Sequence, residues 1–146
     1  MKKFKSFKSN SKKNLPKVVV IGMGYVGFPL ACAIARSKKY KIYGLDIDKD
    51  KIDKINKKIS TVENKQAEKD VKKFPFKATT EDSILKGSKF IIICVPTPVD
   101  HNKKPDLSPV IEATKSVAKY LSKGQYIILE STVNPGVCED VMLPIL

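Results

Sequence analysis

Apolar residues along this chain fall into short β-branched runs separated by stretches with helical spacing. The first run, Lys17–Ile21 (KVVVI), is stopped by Gly22 and predicts a buried strand. Residues 25–37 (YVGFPLACAIARS) predict a helix with Val26, Leu30, Ala33 and Ile34 on one face. Pro29 falls near its first turn, where a missing N–H costs least. Residues 41–47 (KIYGLDI) predict a second strand, and residues 49–58 a charged helix that buries Ile52 and Ile55. Residues 59–73 show no clear period and are expected to form a loop or a weak helix. Residues 76–79 predict a short strand, and residues 81–85 a short helix with Thr80 as N-cap. Residues 89–95 (KFIIICV) are apolar almost throughout, as expected of a strand covered on both faces. A loop bracketed by prolines leads to a helix over residues 108–121, with Val110, Ile111, Thr114, Val117 and Leu121 toward the core and Gly124 just beyond it. Residues 125–130 predict a fifth strand. Asn134-Pro135-Gly136 then opens a last helix, with Asn134 as N-cap and Glu139 and Asp140 in its first turn.

Strands alternating with helices predict an α/β fold, a doubly wound parallel sheet. Right-handed crossovers favour the strand order 3-2-1-4-5. A length of 146 residues suits one domain, expected over residues 15–146. Residues 1–14, with six lysines and no acid, read as a disordered basic tail.

Composition narrows the function classes. The formal charge is +13, but six of the cations lie in residues 1–14, and the basic residues are lysines except for Arg36. Arginine is the usual bidentate reader of guanine, so no nucleic-acid partner is expected. No apolar run approaches the ~18 residues of a bilayer span, and no membrane partner is expected. The basic start lacks the apolar stretch of an export signal, which makes the cytoplasm the default. Cys32, Cys94 and Cys138 are scattered and odd in number, and His101 is the single histidine. That pattern points to neither a disulfide framework nor a metal site. Cys138, at a helix start, would be a stabilised thiolate, but it reads better as a small space-filling residue. His101 reads as a solvated loop residue.

Gly22-Met23-Gly24-Tyr25-Val26-Gly27 fits G-x-G-x-x-G, directly after a predicted strand and opening a predicted helix. In that context Gly22 permits the tight turn, Gly24 lets the backbone approach a pyrophosphate, and Gly27 lets the helix lie close on the strand. The N–H groups of Tyr25 and Val26 and the positive helix end would receive the phosphates. Asp46 lies 19 residues after Gly27, at the end of the second strand. A carboxylate there accepts from both ribose hydroxyls of NAD and repels the extra phosphate of NADP. Asp48 is a weaker candidate for that role.

With these residues in view the chain resembles the UDP-glucose/GDP-mannose dehydrogenase family, and most closely its branch acting on UDP-N-acetylhexosamines. The resemblance is carried by VVVIGMGYVGFPLA (18–31), GLDID (44–48), CVPTPVD (94–100), KPDLSPV (104–110) and ESTVNPG (130–136). It implies an NAD-dependent oxidoreductase that converts the C6 hydroxyl of a nucleotide sugar to a carboxylate with two NAD. It implies Thr132 as the catalytic-site residue present, holding water or substrate near the nicotinamide. Thr97 and the backbone of Val95 and Pro96 would line the ribose and nicotinamide side, and Lys51 the adenosine half. The nucleophilic cysteine of the family belongs to a substrate domain for which no counterpart is found here, so the chain reads as truncated and inactive alone. A homodimer is implied for the full-length protein. The chain departs from the family at Lys58 and Thr61, where a glycine and a proline are usual, and at Val137 and Cys138, where hydroxyls are usual. A stand-alone dinucleotide-binding regulatory module is the alternative.

Overall fold

The computed structural model describes residues 15–99 and 105–146. The expected tail over residues 1–14 and the loop position of His101 lie outside the described residues. The elements are β1 (Lys17–Ile21), α1 (Gly27–Ser37), β2 (Lys41–Leu45), α2 (Lys49–Asn56), α3 (Lys65–Lys73), β3 (Lys77–Thr79), β4 (Phe90–Ile93), α4 (Ser108–Ala118) and β5 (Tyr126–Leu129). A 3-10 turn at Asp82–Leu85 precedes β4, and a π turn at Cys138–Met142 follows β5.

All five strands are parallel, in the order β3-β2-β1-β4-β5 expected from the pattern. Successive residues of a strand face opposite sides, so β1 splits its side chains between two cores. Val18 and Val20 pack under α1, α2 and α3 with Phe28, Ala31, Cys32, Ile55 and Val71. Val19 and Ile21 pack on the other face with Leu85, Ile91, Ile93, Val110 and Val117. Helices therefore cover both faces, which is why β1 and β4 are apolar without alternation.

Several elements differ from the expectation for physical reasons. Helix α1 turns a different face to the sheet: Gly27, Phe28, Ala31 and Cys32 are buried, whereas Val26 and Ala33 are exposed and Leu30 and Ile34 only flank the core. Close contact at Gly27 fixes that rotation. Residues 65–73 form a true helix, α3, capped by Asn64 Oδ1 accepting from Ala67 N at 2.9 Å. Its buried side is narrow, with Ala67, Val71 and the carboxylate Asp70, which Arg36 of α1 meets at 3.1 Å and Gln66 at 2.9 Å. Thr80 caps nothing; Thr79 Oγ1 accepts from Glu81 N at 3.1 Å instead. Helix α4 stops at Ala118, so Leu121 lies exposed beyond it and Ala113 takes a core position. Asn134 is not an N-cap; the chain turns through Gly136, at φ +92°, before the π turn.

Candidate functional site

The first crossover reverses the chain at Gly22, whose φ of +93° an L side chain rarely adopts. A Cβ there would stand 2.5 Å from the carbonyl oxygen of Cys94, at the end of β4. At Gly27 a Cβ would run into the carbonyl oxygen of Gly22. Both glycines are thus required by packing of the turn against β4 and of α1 against the turn. Gly24 differs: a Cβ there would meet nothing within 4 Å. Its carbonyl accepts from Phe28 N at 3.1 Å and begins the helix. Tyr25 and Val26, 83% and 55% exposed, cover no core. Among the described residues their N–H groups find no acceptor. The result is a bare backbone concavity at the positive end of an 11-residue helix.

Met23, between the first two glycines, is held on three sides. Its side chain is fully buried, in space that a Cβ on Gly44 of β2 would deny to its sulfur, at 2.7 Å. Its N–H donates to Asp46 Oδ2 at 2.6 Å, and its carbonyl accepts from Thr61 Oγ1 at 3.0 Å. The turn is therefore fastened to the end of β2 and to the loop after α2. Neither Met23 nor Thr61 stands out as a turn-holding residue in the sequence. Gly44, unexplained inside a strand pattern, is the one signal that points to it.

Asp46 follows the last residue of β2 and is 8% exposed. Each of its oxygens accepts one backbone N–H, from Met23 and from Asp48 at 2.9 Å. A carboxylate has roughly four acceptor sites, so capacity remains on both oxygens. Lys51 Nζ lies 3.5 Å from Asp46 Oδ2 and 3.8 Å from Asp48 Oδ2. Asp48 is occupied elsewhere, capping α2 by accepting from Asp50 N and Lys51 N. Beside Asp46, Ile47 is 98% exposed, an apolar wall that the sequence pattern absorbs into the strand.

Across the turn, β4 and β5 end in two loops that are clasped together. Thr97 Oγ1 donates to the carbonyl of Thr132 at 2.7 Å, and Ser131 Oγ donates to the carbonyl of Val95 at 2.7 Å. Thr132 is itself exposed, as is Pro96, while Val95 and Thr97 are half-buried. The Ser131 clasp has no signal in the sequence, since it joins residues distant along the chain. Asp106 Oδ1 accepts from Ser108 N at 2.9 Å at the start of α4, and hydrogen bonding from Ser108 lowers its carboxyl from the ordinary value. Cys138 is exposed, whereas Cys32 and Cys94 are buried. Among the described residues, no three His, Cys, Asp or Glu side chains gather as metal ligands. No described helix is long and apolar enough to cross a membrane.

Gly22, Gly24, Tyr25, Val26, Gly27, Asp46 and Lys51 thus form one wall at the carboxyl ends of β1 and β2. Val95, Pro96, Thr97 and Thr132 form the other, at the ends of β4 and β5. Strand order reverses between β1 and β4, and that switch point is where open α/β sheets take ligands. A glycine turn there, with a carboxylate one strand over, defines a dinucleotide-binding domain of the dehydrogenase kind.

The chain belongs to the UDP-glucose/GDP-mannose dehydrogenase family: residues 16–146 match its NAD binding domain. Over 132 residues it is 41% identical to UDP-N-acetyl-D-glucosamine 6-dehydrogenase of Pseudomonas aeruginosa, covering 89% of this chain and 30% of that protein. Over 130 residues it is 42% identical to UDP-N-acetyl-D-mannosamine dehydrogenase of Campylobacter jejuni, covering 86% and 31%. It superposes on the UDP-D-ManNAc dehydrogenase structure from Pyrococcus horikoshii with a TM-score of 0.82 at 34% identity, covering 88% of this chain and 31% of the other. The chain spans about 30% of the length of the curated relatives it matches. The cofactor of this domain is NAD.

Proposed function

We propose that residues 15–146 bind NAD across the two walls and serve a longer enzyme that oxidises C6 of a UDP-N-acetylhexosamine to a carboxylate. The observation that carries the reading is Gly24: its Cα faces open space while the glycines on either side are pressed against protein. The residues present fit the cofactor. The N–H groups of Tyr25 and Val26 would take the pyrophosphate, aided by the α1 dipole. The two acceptor sites left on Asp46 would hold the adenosine ribose hydroxyls, with Ile47 against the base and Lys51 near its phosphate side. Val95, Pro96 and Thr97 would line the nicotinamide ribose, and the clasp to Thr132 would set the spacing of that wall.

When bound, the nicotinamide supplies the hydride acceptor. Two such oxidations, with one water added, take a primary alcohol to a carboxylate and reduce two NAD. Thr132 would position water or the C6 oxygen by its exposed hydroxyl. The cysteine chemistry that completes the family reaction would come from polypeptide outside residues 1–146, so this chain alone is expected not to turn over.

Fluorescence titration with NADH and NADPH tests the assignment. The wild type is expected to bind NADH at least tenfold more tightly, because a 2′-phosphate would meet the buried Asp46 carboxylate. Asp46→Ala is expected to weaken NADH binding and narrow the preference. Equal affinity for both cofactors in the wild type would contradict the role of Asp46.

A further inference from the structure

All five strands start at one end of the molecule, opposite the cofactor crevice, and that end is basic in an unusually one-sided way. Lys17, Lys41 and Lys77 are the first residues of β1, β2 and β3, and Lys89 immediately precedes β4. Lys17 and Lys41 are register partners on adjacent strands. Burial, together with the neighbouring Lys41 charge, holds the Lys17 ammonium below its ordinary value. Four connections arrive at this end: residues 38–40, 74–76, 86–89 and 119–125. None contains an aspartate or glutamate, although the chain has 15 of them. The carboxylates Asp46, Asp48, Glu81, Asp106, Glu130 and Asp140 lie instead in the segments that leave the carboxyl ends of the strands.

Helix carboxyl termini favour cations and account for Lys38 and Lys73. They do not account for lysines at the starts of strands or for connections without an acid of their own, although Asp82, from the 3-10 turn, pairs with Lys119 at 3.2 Å and neutralises that one cation. We propose that the amino end of the sheet is a docking surface for an anionic lipid bilayer, which the protein meets peripherally. Lysines supply compact charge without the planar fork that reads bases or single phosphates. Aromatic groups at this end include Phe74, Phe76 and Tyr120 in the connections, and a cluster of Tyr40, Phe90 and Tyr126. In that cluster Tyr40 meets Phe90 edge-on at 5.9 Å, Phe90 stacks on Tyr126 at 5.4 Å, and Lys89 Nζ sits 4.9 Å from the Tyr126 ring centre. These rings are engaged within the protein, which disfavours the base-stacking platform of a single-stranded nucleic-acid binder. The partly exposed Tyr40, Tyr126 and Leu15 are of the kind that settles at a headgroup boundary. Docked this way, the crevice at the opposite end stays open to solution. The expectation of no membrane partner rests on the absence of an apolar span, which concerns crossing a bilayer and not lying against one.

The test is co-sedimentation of the 146-residue chain with vesicles of phosphatidylcholine, alone or mixed with phosphatidylglycerol. Binding is expected only to the mixed vesicles and is expected to fall steeply with salt. The exposed Lys39, Lys86 and Lys123 occupy three of the connections. Reversing all three (K39E, K86E, K123E) is expected to weaken binding at least about a hundredfold, since the loss of each lysine near an anionic surface costs roughly a fivefold factor and each new carboxylate adds repulsion. Reversing the exposed Lys54, Lys65 and Lys69 on α2 and α3 (K54E, K65E, K69E) changes net charge equally and is expected to cost far less. NADH titration should be unchanged in both variants, which separates this result from the fate of the cofactor assignment. Equal loss in the two variants, no preference for phosphatidylglycerol, or tighter binding to a single-stranded oligonucleotide at matched salt would each overturn the proposal.

Discussion

Gly24 and Gly27 lie three positions apart, yet a Cβ would meet nothing within 4 Å at the first and would run into the carbonyl oxygen of Gly22 at the second. A similar contrast holds among the thiols. Burial, with Asp70 nearby, pushes Cys32 to about 12, and burial, with Glu130 nearby, pushes Cys94 to about 11. Both stay protonated well above neutral pH, while Cys138 is exposed. At pH about 8, a maleimide is expected to label Cys138 alone in the folded protein and all three cysteines after denaturation. Rapid labelling of two or three thiols without denaturant would contradict the packing. Raised folded-state values also mean that the stabilisation is complete below the ordinary thiol value of 9.0 and is lost as pH climbs toward 11 and 12. A second residue-scale test concerns Lys58, a non-glycine residue that sits at φ +62°. Left-handed backbone costs an ordinary residue ~1–2 kcal/mol, partly offset by the greater entropy glycine loses on folding. Lys58→Gly is expected to raise the melting temperature, by the equivalent of about 0.5–1 kcal/mol. A lowered melting temperature would show that the lysine side chain contributes more than its backbone costs.

At the scale of elements, legibility tracks how much apolar pattern each one carries. The strands β1 and β4 are unbroken β-branched or isoleucine runs, and the glycine turn sits directly between strand and helix, so their kinds and order follow from sequence. Helix α3 does not, because its buried side holds only Ala67, Val71 and Asp70 among charged neighbours. A buried carboxylate looks like a surface residue until its partners are seen. The facing of α1 departs from the expected spacing because Gly27, in close contact with the turn, and the fully buried Phe28 face the sheet together, which leaves Val26 and Ala33 exposed. Met23 looks incidental between its glycines, since nothing local shows that Gly44 opens a socket for it. The clasp of Ser131 to Val95 joins separate strand ends and leaves no periodic trace. The α1–α3 latch yields a prediction. Asp70→Ala removes the acceptor of both Arg36 and Gln66 and is expected to destabilise the fold by about 1–3 kcal/mol. Urea unfolding would measure it. No change in midpoint would mean that α3 is held by Ala67 and Val71 alone.

The described part of the molecule is polarised along its strands, with the Asp46 carboxylate and the N–H groups of Tyr25 and Val26 at one end and strand-start lysines at the other. Its cores on the two sheet faces hold β1, β2, β4 and β5 in register, and the segments that form the crevice walls leave the carboxyl ends of these strands. The most direct test of the proposed cofactor site is Gly24→Ala, read by thermal unfolding and NADH titration on the same sample. A methyl group there meets no protein atom within 4 Å. The melting temperature is therefore expected to hold or rise slightly, while NADH affinity falls at least tenfold as the methyl group intrudes on the pyrophosphate. Undiminished NADH binding by a folded Gly24→Ala protein would contradict the placement of the cofactor on this turn.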